Sequence, residues 1–277
     1  MKKNLIIYHG DCNDGFGAAF AAYLYYGKNA EYYPGMYDGN TPDVKNKNVC
    51  IFDYHFKEKI LLEMNNQAES LILKDHHFSA EQIVGHLPFT FFDNSKSGAV
   101  LAWEHFFKES IPEMFLWLQD RDLFENKIEE SKYFHYFLAS KKYSFDDWNE
   151  VFEKLKTIDG RKEILDSGKT IFDYYNNQMQ LIMKHHAIPL TINGQDGWII
   201  NTNRLFISEI GNELAKRNNT FALIWSLTEK GTVSCSVRSV GDSSARLIAE
   251  EFGGGGHEHA AKFNMKLTEF VSKFLNF

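Results

Sequence analysis

Asp75, His76 and His77 stand together after the apolar run Ser70-Leu71-Ile72-Leu73 and Lys74. A carboxylate and two imidazoles are donors suited to Mn²⁺, Mg²⁺, Fe²⁺ or Zn²⁺. A short apolar run that stops at them reads as a buried strand delivering ligands to its carboxyl end, the edge at which open α/β sheets bind ligands. Adjacent histidines alone carry little weight, as His185-His186 in the same chain shows. The weight lies in the surroundings.

Residues 5–8 read as another buried strand, followed by the loop His9-Gly10-Asp11-Cys12-Asn13-Asp14-Gly15 and a helix beginning at Phe16-Gly17-Ala18-Ala19, whose small residues allow close packing on a sheet. Strand, glycine-containing loop and helix open a doubly wound unit. Residues 49–52 form a second strand ending at Asp53, 57–66 a short helix, 71–73 a third strand, and 89–92 a fourth ending at Asp93. Helical spacing follows over 97–107 and 112–119, the latter stopping at Asp120-Arg121-Asp122. Asp93 and its neighbours to Gly98 read as the cap of the next helix. Asp122 reads as a partner of Arg121 or of a surface lysine, and His55 and His105 as surface or packing residues.

From 128 to 186 the pattern is helical and rich in Lys, Glu and aromatics, an amphipathic connector with a break at Asp159-Gly160. His135, His185 and His186 belong to that connector. After Pro189 the texture turns to β: strands over 190–192 and 198–201 around a turn at 194–197, a helix over 207–217, and a hairpin of 221–227 and 232–238. A helix over 243–252 precedes Gly253-Gly254-Gly255-Gly256-His257-Glu258-His259-Ala260-Ala261, and a helix over 268–277 closes the chain. The organisation expected is an α/β domain at 1–127, a helical connector at 128–186 and a small α+β domain at 187–277.

The 277 residues are 44% hydrophobic and 15% aromatic, enough for real cores and against disorder. A net charge of −7 without a basic stripe argues against a protein that grips long duplex nucleic acid by its backbone. A small or short anionic substrate held by a few placed cations fits better. No apolar run approaches the roughly 18 residues of a membrane span, and the start reads as a first strand, not a signal peptide. Three widely spaced cysteines, Cys12, Cys50 and Cys235, point to a reducing, cytoplasmic setting.

With these residues in view, the chain resembles the DHH phosphoesterase family, in the branch whose DHH-associated C-terminal domain carries a GGGHxxAA signature. Residues 9–15, Asp53, Asp75-His76-His77 and Asp120 carry the resemblance at one end, and residues 254–261 at the other. That branch includes nanoRNases, 3′-phosphoadenosine-5′-phosphate phosphatases, cyclic-dinucleotide phosphodiesterases and RecJ-type exonucleases. The resemblance implies a doubly wound, largely parallel sheet joined by a connector to a smaller α+β domain, with the active site in the cleft between them. It implies two divalent ions, usually Mn²⁺: His9 and Asp53 on one, Asp14, Asp53, His76 and Asp120 on the other, with Asp53 bridging. His77 would stand behind the metals or touch the scissile phosphate, and Asp75 would orient a ring. Arg238, Gly254, Gly255, Gly256 and His257 would hold the non-scissile part of the substrate.

The implied reaction is hydrolysis of a phosphodiester or terminal phosphate of a small nucleotide or short oligonucleotide by metal-activated hydroxide. Such a site needs no covalent nucleophile, because ions roughly 3.5–4 Å apart stabilise attacking and leaving oxygens in line. A single-strand exonuclease and a catalytically weakened nucleotide- or RNA-binding protein are the alternatives; the oligomeric state, a homodimer included, is open. Two departures stand out. Cys12 occupies the place of a family carboxylate: it is a thiolate ligand favouring Zn²⁺ or Fe²⁺, a spectator with Asp11 supplying the oxygen, or a strand-end cysteine beside a weakened first site. Lys262 replaces the last glycine of the signature, placed to reach a phosphate or to point to water.

Overall fold

Leu5, Ile6 and Ile7 are almost wholly buried, the mark of a strand covered on both faces, as in parallel sheets. In the computed structural model, which describes residues 3–36 and 39–275, the chain divides into two compact units, Met1–Phe172 and Asp173–Phe277. The first is built on five parallel strands, β1 (Asn4–His9), β2 (Ala30–Gly35), β3 (Asn48–Phe52), β4 (Ser70–Asp75) and β5 (Thr90–Phe92), in the order β2-β1-β3-β4-β5. Between and after them run α1 (Asn13–Tyr26), α2 (Glu58–Gln67), α3 (Phe78–Val84), α4 (Gly98–Phe106) and α5 (Glu113–Asp122). The doubly wound expectation holds: Leu5 and Ile7 pack into a core with Leu61 and Met64 of α2, while Ile6 and Tyr8 face a second core with α1, α4 and α5.

β1 has β2 on one side and β3 on the other, so the strand order reverses beside it. In open α/β sheets such a reversal leaves a crevice at the carboxyl ends of the two central strands, where ligands bind. His9 ends β1, and Asp53 follows β3 directly. β2 was not expected. It is the edge strand, its middle residues are only partly buried, and it carries Pro34, so it lacks the unbroken apolar run of its neighbours.

Residues 128–172 pack with the first unit as α6 (Glu129–Leu138), α7 (Phe145–Leu155) and the start of α8 (Ile158–His186). The helical break falls at 156–157 instead of Asp159-Gly160, because the Thr157 hydroxyl accepts the Gly160 N–H at 3.1 Å and starts α8 there. Trp148 of α7, 1% exposed, packs against Phe16 and Phe20 of α1.

The second unit carries β6 (Ile188–Ile192), β7 (Gln195–Asn201), α9 (Ile207–Asn218), β8 (Phe221–Leu227), β9 (Thr232–Ser239), α10 (Ala245–Glu251), β10 (Gly255–His257), β11 (Ala260–Lys266) and α11 (Leu267–Phe274). Its six strands are ordered β10-β11-β9-β8-β7-β6, with only β7 and β8 parallel. The turn expected at 194–197 is tighter: Asn193 and Gly194, both with positive φ, close the β6–β7 hairpin as a two-residue loop. The last two glycines of the run open β10, paired to β11. Residues 276 and 277, expected to end the last helix, lie outside the described residues. Among the described residues no helix is long and apolar enough to cross a membrane.

Candidate metal centre

Backbone placement comes first. Asp53 sits just past β3 with φ 57°, a left-handed conformation uncommon for a side chain with a Cβ, and its carboxylate is buried. Such outliers persist where the surroundings over-determine them. Two glycines let the neighbouring helices close on it. A Cβ on Gly15 would lie 2.2 Å from the His9 carbonyl oxygen, so only glycine lets α1 start so close to the end of β1. A Cβ on Gly98 would lie 2.4 Å from Asp53 Cβ and 2.9 Å from Asp14 Oδ2. With glycine there, the amino end of α4 reaches Asp14: Gly98 and Ala99 donate their N–H groups to its two carboxylate oxygens at 2.5 and 3.0 Å, where the helix dipole favours negative charge.

His76 is the hub. Its Nε2 lies 3.1 Å from Asp53 Oδ1, 3.3 Å from Asp122 Oδ2 and 3.8 Å from Asp14 Oδ2. The other oxygen of Asp53, Oδ2, lies 3.5 Å from His9 Nδ1. One buried carboxylate is thus divided between two imidazoles. Behind it, Asp75 Oδ1 accepts the backbone N–H of His76 at 2.7 Å and of His77 at 3.2 Å, and the His77 Nδ1–H at 2.7 Å. With Nδ1 carrying the proton, the lone pair of His77 is on Nε2.

The charges strain one another. Burial, then the charges of Asp122 and Asp53, pushes the Asp14 carboxyl well above the usual carboxylate range. Burial and Asp53 push Asp122 up to about 6. Burial alone would lower His76, but its hydrogen bond to Asp53 and the charges of Asp122 and Asp14 outweigh it and raise it to about 9. Asp53 moves the other way: burial opposes ionisation, yet His76, His9 and His77 together hold it below its ordinary value. Burial, then Asp53 and Asp14, raises the Cys12 thiol, so that without a cation it is neutral.

Three buried carboxylate oxygens here, Asp53 Oδ2, Asp75 Oδ2 and Asp122 Oδ2, accept no hydrogen bond. Buried polar atoms rarely go unpaired, and a buried charge without compensation is costly. Converging oxygens of this kind, among imidazoles, are the complement of a cation. The donor atoms fall into groups spanning no more than 4.8 Å: His9, Cys12 and Asp53; Asp14, His76 and Asp122; and Asp53, Asp75, His76 and His77. These residues fit divalent metal.

Asp120, expected among the ligands, is not there. It is buried two residues earlier on α5, where its Oδ1 accepts Lys127 N–H at 2.7 Å and Ile128 N–H at 3.2 Å and its Oδ2 accepts the Ser131 hydroxyl. Every donor there ties the α5–α6 connection, so Asp120 is a loop anchor, while Asp122, which the sequence pairs with Arg121 or a surface lysine, stands in a donor group with Asp14 and His76. Two positions on a helix differ by about 200° in direction. Asp120 shares a face with Trp117, which meets Phe134 of α6. Asp122 follows Leu118, whose methyl packs at Gly17 of α1; that i,i+4 spacing was the available signal.

Asp11 is exposed and stands in none of these groups, whereas Cys12 stands in one. Asp93 makes a turn, its Oδ1 accepting Ser95 N–H at 3.1 Å, and Ser97 caps α4. His55 lies closer to the chemistry than expected, its Nδ1 3.9 Å from Asp75 Oδ2; His105 packs on Phe52. Tyr143, which no sequence signal marks, reaches from the α6–α7 loop to donate to Asn13 Oδ1 at 3.1 Å.

In the second unit, His257, Ala260 and Arg238 are cross-strand neighbours in one row over β10, β11 and β9. Directly opposed residues share a face, so an imidazole and a guanidinium flank a small alanine. Arg238 is half-buried and donates to Ser208 Oγ at 3.1 Å, while His257 is exposed. The glycines divide by role. Gly256, with φ 149°, would clash with the Ala260 carbonyl at 2.6 Å if it bore a Cβ, and Gly254 with the Lys262 carbonyl at 2.2 Å; Gly255 faces open space. Lys262 is exposed beside it, opposite Gly255.

Residues 199–277 match the family model of the DHHA1 domain. An uncharacterized protein of Acanthamoeba polyphaga mimivirus is 28% identical over 285 aligned positions, covering 94% of this chain and 67% of that protein. Among solved structures, the pGpG-specific phosphodiesterase PggH of Vibrio cholerae superposes with a TM-score of 0.58 at 14% identity, over 98% of this chain and 96% of that one. A DHH domain from a protein described as belonging to a family of ribosomal proteins gives a TM-score of 0.54 at 13% identity, over 98% of this chain and 85% of that one. The carboxyl-terminal residues 199–277 thus match the DHHA1 domain, and the chain shares its fold with solved proteins that carry a DHH domain.

Proposed function

We propose that this chain is a divalent-metal-dependent phosphoesterase acting on a small nucleotide or a very short oligonucleotide. The observation that carries the reading is the Asp53 carboxylate, buried at the sheet's reversal point, with one oxygen toward His76 and the other toward His9. His9, Cys12 and Asp53 would hold one ion, and Asp14, Asp53, His76 and Asp122 the other. Divalent ions supply a nucleophile at neutral pH and neutralise charge developing on the phosphoryl oxygens. The chain's own part is placement. Asp75 fixes the tautomer and angle of His77, leaving Nε2 to meet a phosphoryl or leaving oxygen. The amino end of α4 holds Asp14 in a single orientation. In the second unit's sheet, Arg238 and His257, in one cross-strand row, would offer donors to an anionic group.

The likeness to a pGpG-specific phosphodiesterase, and a net charge of −7, support a small anionic substrate over a long nucleic acid. The test is a turnover panel with Mn²⁺: 3′-phosphoadenosine-5′-phosphate, pGpG and other linear dinucleotides, cyclic dinucleotides and single-stranded DNA. Hydrolysis of a small nucleotide, abolished by chelator and restored by metal, is expected. Turnover of none of them, or turnover untouched by chelator, refutes the reading; processive degradation of long single strands replaces it with an exonuclease.

A further inference from the structure

Two of the three donor groups are chemically unequal. His9, Cys12 and Asp53 offer nitrogen, sulfur and oxygen; Asp14, His76 and Asp122 offer nitrogen and two carboxylates. We propose that the centre is built for two different metals, with the Cys12 thiolate selecting a borderline ion such as Zn²⁺, Fe²⁺ or Co²⁺ in the first position while the second takes a hard ion such as Mn²⁺ or Mg²⁺. The proposal rests on the metal-centre reading above and adds to it the identity of the ions.

Ligand softness decides the assignment. Thiolate discriminates toward zinc and iron, whereas carboxylate-rich sites suit magnesium and manganese. Cys12 is also held for the role. It is the residue preceding α1, extended at φ −130° and ψ 136°, between His9 at the end of β1 and Asp14 in the helix's first turn. Its sulfur lies within 4.8 Å of a His9 ring nitrogen and an Asp53 oxygen. An independent feature marks the same spot: Asp53 is 1% exposed, and its Oδ2, the oxygen on the His9 side, accepts no hydrogen bond. The other cysteines have no such setting. Cys235 is wholly buried in the core of the second unit's sheet, and Cys50 faces His105 at 3.9 Å with no carboxylate in any donor group.

Cobalt reports the bond directly, because a cobalt–thiolate contact gives a near-ultraviolet charge-transfer band that oxygen and nitrogen ligands do not. The full chain, stripped of metal, is titrated with Co²⁺ while absorption and bound stoichiometry are followed. Two ions per chain are expected, one of them with the thiolate band. Zinc-loaded protein should show a Zn–S distance near ~2.3 Å by X-ray absorption. Cys12→Ser should lose the band and weaken one ion by about tenfold or more, the least that loss of a ligand should cost when supporting residues alone are worth that much, while the other ion stays. Cys12→Asp should bind two Mn²⁺. Two cobalt ions without a thiolate band in the wild-type chain overturn the proposal and leave the metal centre standing, and so does a band that survives in Cys12→Ser. Absence of any bound cobalt overturns the metal centre and the proposal together.

Discussion

Asp120 and Asp122 lie two residues apart on α5, and both are acids drawn into the first unit's interior, yet their surroundings are opposite. Asp120 accepts from two backbone N–H groups and a hydroxyl and uses its charge to close a loop. Asp122 lies among other carboxylates, has an oxygen without a hydrogen bond, and is pushed up to about 6 by burial and by Asp53. A buried acid whose acceptors are filled from its own chain is part of the scaffold. One left short, beside others left short, is suited to a cation. The distinction can be broken or sharpened by experiment.

The largest effect is expected at Asp53, the residue proposed to hold both ions. Asp53→Asn keeps the shape but removes the charge, and should lower turnover by about 10³-fold or more, since metal stabilisation of the reacting phosphate is worth several kcal/mol. Both ions should be lost together in a stoichiometry measurement. Near-normal activity with both ions bound would remove Asp53 from the centre.

Next comes pH. In the metal-free site His76 titrates at about 9 and Asp122 at about 6, and both must be unprotonated to ligate. Apparent affinity of the ion assigned to Asp14, His76 and Asp122 should therefore rise with pH up to about 9 and more steeply below about 6, with protons released on binding. Proton release measured in weakly buffered solution checks this. The stability of the metal-free chain should run the other way. Both folded values exceed the ordinary ones, 3.8 for Asp122 and 6.5 for His76, so the folded state holds extra protons and loses stability as pH rises through each window. Denaturant midpoints without metal should fall from pH 7 to pH 9, the window of His76; below pH 6.5 the buried His135, held down to about 4, acts with the opposite sign. A rise from pH 7 to pH 9 contradicts the charge assignment.

The two acids themselves should dissociate cleanly. Asp120→Ala strands two buried N–H groups and a hydroxyl, costing about 2–4 kcal/mol and lowering Tm by several degrees at roughly 2–4 °C per kcal/mol, with metal stoichiometry kept. Asp122→Asn should raise Tm of the metal-free protein at pH 8, because it removes a charge the fold disfavours, and should weaken metal binding. If Asp120→Ala lost the metals with Tm unchanged, the roles would be reversed.

The smallest effect concerns the second unit's glycines. Gly256→Ala places a Cβ at φ 149° against the Ala260 carbonyl and should cost about 1–3 kcal/mol. Gly255→Ala meets nothing within 4 Å and should leave thermal stability unchanged. Equal Tm values for the two variants would show that the run is simply a loop.

Much of this is legible in the sequence, for physical reasons. β1, β3 and β4 are apolar runs covered on both faces and stopping at polar residues, so the order of residues alone marks their carboxyl edge and the positions of His9, Asp53 and His76. Asp14 follows from the loop between β1 and α1. What cannot be read depends on direction. Asp120-Arg121-Asp122 contains two acids on one helix, and without its phase relative to α1 and α6 a sequence does not tell which of them joins Asp14 and His76. β2 is hidden because an edge strand needs no continuous apolar run. β10 is hidden because glycines that fit against β11 look, in a sequence, like flexible loop. The proximity of His55 to Asp75 depends on how residues 53–56 turn after β3, set by the left-handed Asp53.

The most direct test of the central claim is a crystal soaked in Mn²⁺, with anomalous difference density collected at the manganese edge. The account predicts density in contact with the Asp53 carboxylate, at about 2–2.5 Å from its oxygens as expected for hard divalent ions, with His76 and Asp122 among the neighbours of one ion and none beside Asp120. Density at Asp120, or a Mn²⁺-saturated crystal with no peak at Asp53, would contradict it.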